Sequence, residues 1–363
     1  MSQPIWIGQT LGGRYVIEEL LGSGGMSSVY KANDPNLRRT VAIKLIHPHL
    51  SREPEFVSRF EEEASAVAQL KHPNVIKVFD FNNDGETYFM VMEYIQGETL
   101  SDQLMALEAK KQNMASEEAL RIATKISAAL HYAHQRQMIH RDVKPANIML
   151  DEQGHPILMD FGIAKIIGGK VQTATGAIIG TALYMSPEQI QGKNADARVD
   201  IYSLGIVLFE MIAGQTPFGG DSAMTIMMKH VNDPLPNLQV LNPDTSPAVR
   251  SVIEKALEKD PQQRFQSAGD MEQALQGVLD SAPAAFNEAT VFEQPLPPDG
   301  ATVLEDGPPA QAARGPALQD LPPVSLPSAA EPRNLSRLIS IAGGFVAILL
   351  LIVGGGCLSR KWK

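Results

Sequence analysis

His140-Arg-Asp-Val-Lys-Pro-Ala-Asn147, followed by Asp160-Phe-Gly162 and by Ser186-Pro-Glu188, is the stretch that decides how this chain is read. On its N-terminal side, from Tyr15 to about Tyr94, β-branched runs recur at Tyr15 to Leu21, Thr40 to Leu45, Val75 to Phe81 and Tyr88 to Tyr94. One helical stretch, Glu55 to Leu70, falls between the second and third runs, so this part predicts a small sheet carrying a single helix. Around and beyond the motif the apolar period changes. Glu117 to Gln135, Asp200 to Ala213 and Ala248 to Leu257 repeat at helical spacing and predict a mostly α second part. The boundary falls near Ile95 to Thr99.

Composition limits what such a chain can be. Its 363 residues exceed the usual length of one domain, and a hydrophobic fraction of 44% with 20% charged residues is that of a globular protein. A net charge of −10 argues against nucleic-acid binding, which needs clustered Lys and Arg. Cys357 is the sole cysteine, which excludes an intrachain disulfide framework and a CxxC redox motif. Met1 to Thr10 lacks the basic and apolar regions of a signal peptide.

The C-terminal part changes character. Between Ser281 and Asn334 eleven residues are proline and the aromatics are Phe286 and Phe292, a composition that cannot bury enough apolar surface to offset its ordering entropy. Leu338 to Leu358 carries no charge and as a helix would extend about 31 Å, the thickness of a bilayer core. The expected organisation is therefore an extension over 1–14, a main domain over 15–279 with lobes of about 15–95 and 96–279, a Pro/Ala-rich linker over 280–337, a transmembrane helix over 338–358 and a basic tail over 359–363. So short a tail leaves the expectation of no folded receptor beyond the span.

Within the first lobe, Gly22-Ser-Gly-Gly-Met-Ser-Ser-Val29 lies between two predicted strands. Gly22, Gly24 and Gly25 let backbone N–H groups approach phosphates, although a plain hairpin reads equally well from these residues alone. In Val41-Ala-Ile-Lys44 the alternation puts Ala42 and Lys44 on one face of a strand. A lone strand lysine is usually a solvated edge residue. Glu63, on the predicted helix, is a candidate counter-charge for it, with Glu61 and Glu62 as neighbours pointing elsewhere.

Taken in order, the glycine-rich loop, Val-Ala-Ile-Lys, His-Arg-Asp-x-Lys-x-x-Asn, Asp-Phe-Gly and Ser-Pro-Glu resemble the eukaryotic-type (Hanks-type) protein kinases, and within them the bacterial Ser/Thr kinases. The resemblance covers about Tyr15 to Leu279 and implies an α+β, bilobal fold with a β-rich N-lobe holding one helix and an α-rich C-lobe. It implies transfer of the ATP γ-phosphate to protein Ser/Thr hydroxyls, with Mg²⁺, or Mn²⁺ in its place, held by Asn147 and Asp160. Asp142 would orient the acceptor hydroxyl, Lys144 would steady the γ-phosphate and mark the Ser/Thr subclass, and Lys44 paired with Glu63 would hold ATP phosphates. Val29, Ala42, Met149 and Met159 would sandwich the adenine, the backbone of Glu93 and Ile95 would bond its edge, and Met92 would be the gatekeeper. His140 reads as a packed structural histidine, Asp200 and Arg264 as scaffold residues with Arg264 pairing Glu188, and Thr181 as a contact to the catalytic loop. Ser27 replaces the third glycine of the loop, and Ser186 the alanine of the usual Ala-Pro-Glu. Neither change removes a ligand or a charge.

Regulation and partners are expectations of the same kind. Thr173 and Thr175 lie between Asp160 and Glu188, and Arg141 beside the catalytic Asp142 would welcome a phosphothreonine, so activating autophosphorylation is expected there. The repeat Ala289-Thr-Val-Phe-Glu293 and Ala301-Thr-Val-Leu-Glu305 makes Thr290 and Thr302 candidate phosphosites for a forkhead-associated domain. A kinase homodimer is a further expected partner. The single C-terminal span would place the chain in the cell membrane, with its catalytic lobes in the cytoplasm where ATP is. The alternative is a pseudokinase scaffold acting through linker contacts.

Overall fold

Ser27 to Asp34 alternates buried and partly exposed residues along its whole length, the signature of a strand with one face on a core. The computed structural model describes residues 6–161 and 175–281, and within them excludes the side chains of Arg59, Glu63 and residues 175–178. Thr173, the linker with Thr290 and Thr302, and the apolar stretch Leu338–Leu358 lie outside the described residues.

Strands β1 (Thr10–Leu11), β2 (Tyr15–Ser23), β3 (Ser27–Asp34), β4 (Arg39–Ile46), β5 (Val78–Asp84) and β6 (Thr87–Glu93) form an antiparallel sheet in the order β1-β2-β3-β4-β6-β5. Helices α1 (Pro48–Ser51) and α2 (Pro54–Ala68) connect β4 to β5. One face of the sheet buries Tyr15, Ile17, Tyr30, Ile43, Phe89 and Val91 together. On the other face Phe60, Ala64 and Val67 of α2 join the core that continues into the second lobe. In the register Val29 lies opposite Lys44, and Ala42 opposite Met92, so the central strands carry these residues to one cleft.

The run Val75 to Phe81 does not form the single strand expected from its composition. Val75 bridges Leu158, with Ile76 N donating to Leu158 O at 3.0 Å and Leu158 N to Asn74 O at 2.9 Å, and β5 begins only at Val78. Extended propensity does not specify a partner. Here the second lobe supplies one for the first residues and β6 for the rest, which ties the lobes together.

The second lobe is helical. Strand β7 (Gly97–Thr99) leads into α3 (Leu100–Ala109) and α4 (Ser116–His134); a 3₁₀ turn (Pro145–Asn147) precedes β8 (Ile148–Asp151) and β9 (Pro156–Leu158). Then follow α5 (Thr175–Ala182), α6 (Pro187–Ile190), α7 (Arg198–Ala213), α8 (Ala223–Asn232), α9 (Leu238–Leu241), α10 (Pro247–Ala256) and α11 (Ala268–Ser281). From Val199 to Phe209 α7 is buried on every side, as befits a helix apolar all round at the centre of a lobe. The first residue of β7 needs to be glycine: Gly97 has φ +155°, and a Cβ there would stand 1.9 Å from Leu150 O. Among the described residues no helix is long and apolar enough to cross a membrane.

Candidate active site

The catalytic stretch is held from below by one carboxylate. Asp200, in the first turn of α7 and fully buried, accepts from His140 N at 2.8 Å, from Arg141 N at 2.7 Å and from His134 Nε2 at 2.8 Å. His140 is also fully buried. Its Nε2 donates to Met159 O at 2.8 Å and its Nδ1 accepts from Asp142 N at 3.3 Å, while its ring lies 4.6 Å from that of Phe161. Burial pushes the imidazole below its ordinary value, so it is a neutral strut between the catalytic stretch and Asp160 rather than an acid or base.

On this base three predicted residues meet. Asn147 Nδ2 donates to Asp142 O at 2.8 Å and to Asp142 Oδ2 at 2.9 Å, and Lys144 Nζ lies 3.0 Å from the same Oδ2. The Asp142 carboxylate is thereby fixed in orientation and provided with a cation. Lys44 of β4 reaches across the cleft to Asp160 Oδ1 at 2.9 Å. Burial raises the Asp160 carboxyl, but the Lys44 ammonium outweighs it and holds the group below the usual carboxylate range. Glu63 is placed on α2, its side chain outside the described residues.

Asn147 and Asp160 suit a hard divalent cation by donor chemistry: an amide whose nitrogen is committed to Asp142, and a carboxylate kept ionised by Lys44. Among the described residues no cluster of three or more His, Cys, Asp or Glu side chains offers an all-protein metal site. Two protein ligands completed by phosphate oxygens and water are what Mg²⁺ ordinarily takes beside a nucleotide.

Between the lobes lies a cleft of about 340 Å³. Gly22, Val29, Ala42, Met92, Glu93, Ile95, Met149 and Met159 all line it, as does Asp160. Gly24 and Gly25 are not among its lining residues. A Cβ on Gly22 or Gly25 would meet nothing within 4 Å, and neither has a left-handed backbone, so neither the chain nor its neighbours require glycine there. What bare glycine preserves at Gly22 is room beside the cleft for a ligand to approach the backbone.

Glu188 and Arg264 form a buried two-pronged pair, Nη1 to Oε1 at 2.7 Å and Nη2 to Oε2 at 2.8 Å. Ser186 caps α6 reciprocally with Gln189, whose side chain also donates to Arg141 O at 3.2 Å. Thr175 and Thr181 both fall in α5, where no helix was expected and where Gly176 and Gly180 lower helix propensity.

A profile of the protein kinase domain matches residues 15–278. The chain belongs to the protein kinase family. Serine/threonine-protein kinase PrkC of Bacillus subtilis is 38% identical over 307 residues, 85% of this chain and 47% of PrkC. PknB of Mycolicibacterium smegmatis is 39% identical over 353 residues, 95% of this chain and 54% of PknB, and PknA of Mycobacterium tuberculosis 40% identical over 277 residues, 75% and 63%. The chain thus spans about half the length of the curated relatives it matches. The kinase domain of PknI from M. tuberculosis superposes with a TM-score of 0.60 at 28% identity, over 76% of this chain and 99% of that one.

Several residues of the site carry no motif in the sequence. Leu21, Ile76, Tyr94, Thr99 and Asp102 also line the cleft. Leu21 could have been found from its place beside Gly22, and Thr99 with Asp102 from their capping-box spacing at the start of α3. The bond from Tyr184 OH to Glu210 Oε2 at 2.7 Å carries no local signal, because it joins the segment after α5 to the far end of α7.

Proposed function

We propose that this protein is a Ser/Thr protein kinase that transfers the γ-phosphate of ATP to hydroxyls of protein substrates. The observation that carries this reading is the convergence of Asn147 Nδ2 and Lys144 Nζ on Asp142 Oδ2, together with the pair between Lys44 and Asp160, a residue that lines the cleft. With its orientation fixed, Asp142 aligns the incoming hydroxyl and takes its proton as the new O–P bond forms. The bond from the γ-phosphorus to the bridging oxygen breaks, and ADP leaves. Lys144 offsets charge on the transferring group, and Lys44 holds the remaining phosphates in line. Asn147 and Asp160 would hold a divalent cation, which when bound would supply further neutralisation of phosphate oxygens. Incubating the full chain with labelled ATP, Mg²⁺ and a generic protein should label the protein, and Asp142→Asn should lower that by at least about 100-fold. Equal labelling by the two would overturn the reading.

Activation is proposed to run through Thr173 and Thr175. Arg141 supports this: its backbone is bound by Asp200 and Gln189, yet its buried Nε has no hydrogen-bond partner among the described residues. A phosphothreonine would give that donor a charged acceptor. Unchanged substrate phosphorylation after replacing both threonines by alanine would end this proposal. We further propose that Leu338–Leu358 anchors the kinase in the cell membrane with its lobes in the cytoplasm, and that phosphorylated Thr290 and Thr302 dock a forkhead-associated module. The uncharged stretch and the twelve-residue repeat support these two readings. Membrane fractionation of the full chain against one lacking 338–358, and phosphosite mapping, test them.

A further inference from the structure

Gly22 and Ser23 end β2 and Ser27 to Val29 open β3, so Gly24, Gly25 and Met26 are the part of the glycine-rich loop outside the ladder. Glycine pays the largest conformational entropy on ordering, and Gly22 and Gly25 offer no side chain to pack. Inside the loop, Gly24 N bonds Ser27 O at 2.8 Å. Beyond the pairing of β2 with β3 and of β3 with β4, further bonds to the loop come from His47, which follows the last residue of β4 and stands at the N-cap of α1. Its backbone N donates to Met26 O at 3.0 Å. Its Nε2 lies 3.0 Å from Ser28 Oγ, and Ser28 Oγ lies 3.0 Å from Ser23 Oγ. His47 and Ser28 are both buried, at 9% and 4% exposure, so these bonds are sheltered from water. Met26 and Ser28 directly, and Ser23 through Ser28, are thus braced by a histidine three residues beyond Lys44.

We infer that His47, acting through Ser28 and Ser23, is a positioning residue that holds the glycine-rich loop down over the nucleotide phosphates. It fixes the loop relative to Lys44, because both sit at the same end of β4. Burial pushes the imidazole below its ordinary value, so the ring is neutral at working pH and Nε2 can accept from the Ser28 hydroxyl. Nothing in the Gly-x-Gly pattern requires serine at Ser23 or Ser28, or histidine after β4. The inference rests on the kinase reading above for what the loop covers.

The test uses the full chain and two probes, the non-hydrolysable ATP analogue AMPPNP with Mg²⁺, and adenosine, which has no phosphates. His47→Ala and Ser28→Ala should each weaken AMPPNP binding by about five- to tenfold while leaving adenosine within twofold. In phosphate transfer they should raise KM for ATP by a similar factor, with kcat at saturating ATP little changed. Ser28→Thr, which keeps the hydroxyl, should restore binding, and the double alanine variant should be no weaker than the weaker single one. Equal loss for both probes would mean that the N-lobe is merely destabilised, and no loss for either would mean that the loop holds itself; both overturn the inference, as does additivity in the double variant. If the unsubstituted chain transferred no phosphate, the kinase reading would fall, while the two affinities would still decide the role of His47.

Discussion

Removing Arg264 should cost more stability than any other single change to this scaffold. Its guanidinium is fully buried and every donor is used: two meet Glu188, Nε meets Glu258 O at 2.7 Å, and Arg198 O and Lys259 O accept at 3.2 Å each. Arg264→Met fills a similar volume but strands the Glu188 carboxylate and three carbonyls without a cation. Breaking a buried pair from one side costs about 3–5 kcal/mol. For a domain of this size each kcal/mol moves Tm by about 2–4 °C, so a fall of about 10 °C is expected in calorimetry of the full chain. The double variant Glu188→Gln with Arg264→Met should recover a good part of that, because no charge is left stranded. A Tm within 2 °C of the parent for Arg264→Met, or strictly additive losses in the double variant, would refute the reasoning.

Three further outcomes follow from the same geometry. Burial raises the Glu210 carboxyl to about 7 against the opposing bond from Tyr184; an acid raised on folding favours the fold most below its unfolded value near 4.5 and loses that benefit as pH rises towards 7. Urea unfolding should therefore show the parent losing about 2 to 3 kcal/mol across that window relative to Glu210→Gln. Lys44→Met removes the cation that keeps Asp160 ionised, so the Asp160 carboxyl should titrate higher by carbon NMR and labelled phosphate transfer should fall by about 100-fold or more. Gly97→Ala drives a Cβ into Leu150 O at a strand position with φ +155°, and thermal unfolding should show a loss of about 2 kcal/mol or more.

What the sequence discloses here is identity rather than pairing. The β-rich and α-rich halves follow from a change of apolar period, and the chemistry-bearing residues from their types and order. Partners across long separations leave no such trace. The bond from Lys44 to Asp160 spans 116 residues, and no local spacing announces it. The break in Val75 to Phe81 depends on where Leu158 arrives, and Tyr184 finds Glu210 only because α7 passes beneath it. His47 was passed over for another reason: an isolated histidine after a strand matches no motif, and its contacts to Met26 and Ser28 exist only once β3 and β4 are in register.

The catalytic loop shows why pairing matters more than the motif that names it. Arg141 has φ +63° and Asp160 φ +52°, left-handed backbones that cost non-glycine residues of order 1–3 kcal/mol each. Neither the eight-residue stretch His140–Asn147 nor the segment at Asp160 sustains that strain by itself. It is sustained because Asp200 takes the amides of His140 and Arg141 together, and because His140 then bonds Met159, the residue before Asp160. Asp200 in turn is fixed by α7, which is buried almost throughout and cannot shift without opening the core. The separation of Asp142 from Asp160 is therefore set by a helix that contributes no atom to the reaction, and a cavity cut into α7 should reach the phosphate-transfer rate through Asp200 before it unfolds the domain.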